Sequence, residues 1–353
     1  MPALPSTEGQ QWHYFQKSWH EGDALCLTQH FDQDTAYVTA RIPFTPEYNF
    51  AFMQSIGGNS HARVVTIGTS KRGAPLQLIQ IPAKDSLDQL RTKPCVLIYA
   101  REHPDEQDCS WVAQGAVQFL ISDDSRAELI RKQLSFLVIP LLDPDGAAAA
   151  THENIISTFT SGRETPESLA YSAFFRSWVD QNKRLDLILA LHNPAPVAGF
   201  HIACPMMEPS NECFQECLDF HQVLRRDLLA AGYLVRQTPW NRGLLSGRLS
   251  SFLSVNYGAL IMPYEINSLS PKQQLNLAQL RQIGRVMCVS TAEYFNGKGK
   301  ELLVNVDNLR RQWRQESAQF VPADILAKGN AIEIETRRSQ NVLFQQAVLP
   351  AKD

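Results

Sequence analysis

Strand-length runs of apolar residues set the frame for this chain. CVLIYA (95–100), FLVIPLL (136–142), LDLILAL (185–191) and GALIMPYEI (258–266) are nearly continuous rather than alternating. That is the pattern of strands covered on both faces. Between the first two runs, Val112, Ala116, Val117, Phe119 and Leu120 recur near a 3.6-residue period, so Glu106 to Ile121 reads as a helix, and Ser125 to Gln133 as a further turn or two. Strand, helix, strand is a βαβ unit, and the expected fold is α/β: a mixed, largely parallel central sheet flanked by helices. The later chain repeats the rhythm. SLAYSAFFRSWVDQN (168–182) and NECFQECLDFHQVLRRDLLAAG (211–232) read as helices, FHIAC (200–204) as a strand, and Pro271 to about Phe295 as a closing helix with Ser270 as its N-cap. Upstream, VVTIGTS and LQLIQIP flank KRGAP, where Gly73 and Pro75 punctuate a β-hairpin.

Length divides the remainder. At about 150 residues per domain, 353 residues suggest about two domains. We expect a small β-rich N-terminal module (1–56), whose runs WHYF, ALCLTQHF and TAYVTARIPF lead into a short helix within PFTPEYNFAFMQSI, then a main domain (57–297) and a C-terminal extension (298–353). The extension holds an amphipathic piece, VDNLRRQWRQESAQF, and two β-like runs, AIEIETR and NVLFQQAVL. With 33 Lys+Arg against 36 Asp+Glu, the chain lacks the basic excess of a dedicated nucleic-acid or anionic-membrane binder. No stretch reaches 18 consecutive apolar residues, and the first residues carry no basic-then-apolar leader. Seven scattered cysteines read as reduced, mostly buried thiols, and the expected compartment is the cytoplasm. Cys213 and Cys217 share a helix spacing, but with no second Cys/His pair nearby they read as packing.

The chemistry gathers at strand ends. His103 and Glu106 in AREHPDEQD follow one buried run, His192 follows another, and Glu265 stands near the end of a third. Side chains at the carboxyl ends of sheet strands line the natural cleft of an α/β fold. Two imidazoles and one carboxylate form a catalytic-type zinc set that leaves a position open. A lone HxxE arises often by chance, so on spacing alone unrelated polar residues at strand ends are the favoured reading and the four-residue site the minority one. His201 in FHIAC reads as a packed residue, and His152, in the loop after DPDG, as an ordinary loop residue before a cleft-lining one; Tyr264 and Tyr257 read as core or interface before pocket.

These residues resemble the zinc metallocarboxypeptidases, and most of all their cytosolic carboxypeptidase branch. The branch's A-R-x-H-P-G-E is similar to Ala100-Arg101-Glu102-His103-Pro104-Asp105-Glu106, and its P-M-L-N-P-D-G to Pro140-Leu141-Leu142-Asp143-Pro144-Asp145-Gly146. Leu191-His192 matches the third zinc ligand and Glu265 the catalytic glutamate, while TAYVTARIPFTPEYNFAFM resembles the join between the branch's β-sandwich prelude and its catalytic domain. The resemblance implies a zinc-dependent hydrolase of amide or peptide bonds, with His103, Glu106 and His192 on the metal and Glu265 as general base. It also implies an altered substrate pocket. The D-L-N-R that grips a terminal carboxylate falls on Thr160-Ser161-Gly162-Arg163, an upstream arginine on Glu153, the Asn of N-P-D-G on Asp143, and the Asp before L-H on Ala190. A glutamate repels the anion that a guanidinium would hold. The expected substrate-binding positions are therefore Arg163, Glu153, Asp143 and Gly162, and the expected substrate a peptide or acyl-amino acid. Two other readings compete: an aspartoacylase-like deacylase of a small acyl-amino acid, and a catalytically silent zinc-binding module.

Overall fold

The structure is a computed structural model. It describes residues 15, 17–22, 24–30, 38–39, 41–149, 155, 158–159, 162–194, 198–206, 211–236, 240–241 and 248–297. The expectations placed on Glu153, His152 and the extension 298–353 lie outside the described residues.

β1 (Lys17–Glu21) and β2 (Ala24–Thr28) pair as an antiparallel hairpin. The third β-like run upstream forms no strand in its described part, residues 38–39 and 41–44. α1 (Pro46–Ile56) starts where expected: Thr45 caps it through the Tyr48 amide, and a proline occupies the first turn. Its Tyr48, Phe52, Met53 and Ile56 join the core beneath the main sheet. Both backbone groups of Phe44 are tied down by residues flanking the loop after the next buried strand. The Arg101 guanidinium donates to the Phe44 carbonyl at 2.9 Å, and the Phe44 amide donates to the Gln107 side chain at 2.7 Å.

β3 (Arg63–Thr69) and β4 (Pro75–Ile81) make the hairpin predicted around Gly73, whose φ of +88° suits glycine. Then follow α2 (Leu87–Thr92), β5 (Cys95–Ala100), α3 (Gln107–Leu120), α4 (Ser125–Gln133), β6 (Ser135–Ile139), α5 (Pro144–Ala149), α6 (Pro166–Asp180) and β7 (Leu187–His192). β8 (Ile202–Ala203), β9 (Pro205–Met206), α7 (Asn211–Ala230), β10 (Trp240–Asn241), α8 (Leu249–Tyr257), β11 (Leu260–Ile266) and α9 (Leu277–Phe295) complete the chain. Two expected boundaries move. The run 136–142 leaves the sheet at Ile139, because Pro140 has no N–H to continue a ladder. The last helix begins at Leu277 rather than Pro271, since Asn276 and Gln279 form a capping box while Ser270 is buried and accepts the Gln273 amide in a turn.

Seven strands form the main sheet in the order β3-β4-β6-β5-β7-β11-β8. β6, β5, β7 and β11 run parallel, with antiparallel neighbours on both sides. Alternate residues feed two cores. Val96, Ile98, Leu187, Leu189 and Leu191 face α1, α3, α7 and α9; Leu97, Tyr99, Ile188 and Ala190 face α6 and α8. The chain leaves β5 toward β6 on one side and later lays β7 on the other, so the strand order switches direction at the β5/β7 seam. A cleft outside the carboxyl ends of the strands opens at such a seam.

α3 and α9 approach each other closely at two glycines. A Cβ on Gly284 would stand 2.0 Å from the Val112 carbonyl oxygen, and one on Gly115 would stand 2.2 Å from that of Arg281. Gly284→Ala is therefore expected to cost about 1–3 kcal/mol through forced separation of the helices. Urea unfolding checks this: an unchanged midpoint would mean that the two backbones are not in contact here.

Candidate metal centre at the β5/β7 seam

β5 ends in a turn that few residues adopt. Arg101 has φ +66°, a left-handed conformation that costs a non-glycine residue about 1–2 kcal/mol. Burial and the bond to Phe44 hold it there, and burial pushes its guanidinium down to about 10. The chain then passes through Glu102 and His103 into Glu106, whose amide donates to the His103 carbonyl at 3.2 Å. Glu106 occupies the N-cap position of α3 yet makes no side-chain cap bond. Its carboxylate is turned to the histidines instead: Oε1 lies 2.5 Å from His103 Nδ1 and Oε2 lies 2.9 Å from His192 Nδ1. The two Nδ1 atoms are 3.4 Å apart.

Donor atoms around a tetrahedral ion with bonds of about 2.0 Å stand about 3.3 Å apart. The His–His spacing matches that edge. Among the described residues, His103, Glu106 and His192 are the group of metal-ligating side chains whose donor atoms converge, all within 4.8 Å of one another. Two imidazoles and one carboxylate are a donor set that suits zinc. The electrostatics agree with a tightly coupled cluster. Burial would raise the Glu106 carboxyl, but the two histidines hold it well below the usual range; burial would lower His103, but Glu106 lifts it.

Glu265 belongs to the same end of the sheet. In the parallel β7/β11 ladder it pairs with His192, and both project toward the α6/α8 side. It is buried. The Cys109 thiol, raised chiefly by burial, also feels the charges of Glu106, Asp108 and Glu265. The remaining expected positions are more scattered. Asp143 is buried and accepts the Gly146 amide at 2.8 Å, fixing its own turn, and burial pushes its carboxyl up to about 6. A Cβ on Gly146 would meet Asp143 Oδ2 at 2.3 Å and Pro104 Cγ at 2.7 Å, so this turn packs directly against the loop that carries His103. Gly162 (φ +82°) and Arg163 are exposed ahead of α6. His201 is structural: its ring bridges the Gln273 carbonyl and the Leu234 amide. Tyr264 is core, stacked on His221, and Tyr257 packs on Phe252.

Residues 51–183 match the zinc carboxypeptidase family. Over that stretch the chain is similar to a zinc carboxypeptidase domain. Cytosolic carboxypeptidase 4 of Homo sapiens is 29% identical over 206 residues, which is 56% of this chain but 16% of that protein, so the chain matches a small part of the relative's length. The fold of the domain is shared with a metallo-carboxypeptidase from Burkholderia cenocepacia (TM-score 0.61, 18% identity, 72% of this chain and 70% of that one). It is shared also with one from Pseudomonas aeruginosa, solved in complex with (2-guanidinoethylmercapto)succinic acid (TM-score 0.62, 16% identity, 83% and 79%). Among the described residues, no helix is long and apolar enough to cross a membrane.

Several residues that shape the site escape a reading of the sequence. Arg248, buried at the N-cap of α8, is close enough for its positive charge to be felt at His103 and Tyr99. Asp108 is fully buried, and its Oδ2 accepts from Arg41, from Asn193 Nδ2 at 3.0 Å and from the Ser268 amide at 2.8 Å. Glu102 is also fully buried, with Oε1 accepting the Leu249 amide at 3.0 Å. The only local signal for Glu102 was a charge placed directly after a buried strand.

Proposed function

We propose that the protein is a zinc-dependent hydrolase of peptide or amide bonds that acts at the carboxyl end of its substrate. The observation that carries this reading is the convergence of His103, Glu106 and His192 donor atoms within 4.8 Å, beside Glu265 on the adjoining strand. Zinc held by those three residues would polarise a carbonyl and bring the pKa of a water molecule near neutrality. Glu265 takes the proton of the attacking water and delivers it to the departing amine, as one carboxylate can do in turn. Its place in the β7/β11 ladder keeps it at a fixed distance from His192. Glu265, Glu106 and His192 are buried while His103 is partly exposed, so the carboxylate sits in a less polar setting than bulk water.

Recognition of the substrate differs from a plain arginine clamp. Arg163 is the residue retained from that clamp, and Arg248 adds a second, buried positive charge near His103. Glu153 brings a negative charge where the resemblance expects a guanidinium. The Pseudomonas neighbour supports a site suited to carboxylates, since a succinic acid derivative carries two of them. A cytoplasmic setting fits the free cysteines and the cytosolic relative.

The test is metal content together with hydrolysis. One zinc per chain is expected, with cleavage lost on chelation and restored by zinc. The substrate panel holds peptides with free and amidated C-termini and acyl-amino acids. Zinc bound with cleavage of acyl-amino acids alone would favour the deacylase reading; zinc bound with no cleavage would favour a silent module. Failure to bind zinc would overturn the proposal.

A further inference from the structure

We propose that Glu102 is a positioning residue for the metal centre, accepting the Nε2–H of His192 so that Nδ1 of that ring serves as the metal donor. The inference rests on the zinc reading above. Glu102 is fully buried, and its two oxygens have different surroundings. Oε1 accepts the Leu249 amide at 3.0 Å. Oε2 has no hydrogen-bond partner and lies 3.7 Å from His192 Nε2, inside ion-pair reach. His192 presents its other nitrogen, Nδ1, to Glu106 and His103.

A neutral imidazole carries one proton. If the Nδ1 lone pair goes to a metal, the proton sits on Nε2, where a buried ring needs an acceptor. Glu102 Oε2, 3.7 Å from that nitrogen and otherwise without a hydrogen-bond partner, is the carboxylate oxygen placed beside it. The carboxylate cannot swing away freely, because its other oxygen is bonded to the first amide of α8. A single side chain therefore couples the second histidine to the helix whose N-cap, Arg248, faces the cluster. The rival reading is that Glu102 merely caps α8. Such a cap would affect stability without touching the metal.

Glu102→Gln separates the two, since the amide has one acceptor oxygen to share between Leu249 and His192. Zinc affinity measured by chelator competition on the folded variant is expected to fall about 10–100-fold. The absorption spectrum of the cobalt(II)-substituted variant is expected to shift as well. In the zinc-loaded wild-type protein, the His192 Nε2 proton should resonate far downfield and exchange slowly with solvent, a measurement that needs no substitution. Zinc affinity within about twofold of wild type, or a fast-exchanging Nε2 proton, would overturn the role of Glu102 and leave the zinc reading standing. A wild-type protein that binds no zinc would remove both.

Discussion

Glu265→Gln is expected to lower kcat for amide hydrolysis by about 10²–10⁴-fold while zinc stays bound with its wild-type affinity. The carboxamide has nearly the same size and keeps an oxygen for hydrogen bonding, so the buried end of β11 can hold its packing. What it loses is the ability to take a proton from water and return it to the leaving amine. His103, Glu106 and His192 are untouched by the change, and the ladder that pairs position 265 with His192 is made by backbone atoms. Steady-state kinetics with parallel chelator competition separates the two effects. Undiminished kcat would assign the proton transfers to another group, and a parallel loss of zinc would make Glu265 part of the metal's own environment.

The second large effect concerns Asp108. Asp108→Ala is expected to destabilise the fold by about 3–5 kcal/mol, because it leaves the Arg41 guanidinium buried without its partner. Two further bonds to the carboxylate are lost: those from the Ser268 amide and from Asn193 Nδ2, which keeps the Ile266 carbonyl as an acceptor. For a domain of this size that corresponds to a fall in Tm of about 6–20 °C, at about 2–4 °C per kcal/mol. Arg41 is held also by the Pro194 carbonyl at 3.0 Å, so its charge cannot simply swing into solvent. Replacing both members, Arg41→Met with Asp108→Leu, is expected to recover part of the loss, since two apolar side chains leave no orphaned charge. Calorimetry of the single and double variants provides the cycle. A single variant within 1 kcal/mol of wild type would show the pair to be energetically idle.

Much of this arrangement could be read in the sequence, for identifiable reasons. β5, β7 and β11 carry continuous apolar runs because they are covered on both faces, and that pattern is written in consecutive letters. His103, Glu106, His192 and Glu265 were visible because each stands at or just beyond the end of such a run. The short helices α2 and α5, of 6 residues each, were missed because so few turns cannot establish a period. The start of α9 was misplaced because Pro271 and Asn276 both carry start signals, and only the capping box with Gln279 decides between them. The supporting network could not be seen at all. Asp108, Arg41, Asn193 and Ser268 come from four distant segments, and no local spacing records that their side chains and amides converge. Glu102 is a similar case, since its meaning depends on which ring lies opposite.

The pairing of Glu265 with His192 has a mechanical consequence. Adjacent strands stand about 4.8 Å apart, and a parallel ladder can change that separation only by breaking hydrogen bonds along both edges. The proposed base and one of the candidate ligands are thus fixed to one another as firmly as two teeth on a single gear. His103 and Glu106 instead hang from a loop that starts at a strained Arg101 and rests on the Gly146 turn. The adjustable half of the proposed centre is therefore that loop, and its position is set by the Pro104–Gly146 contact rather than by the sheet.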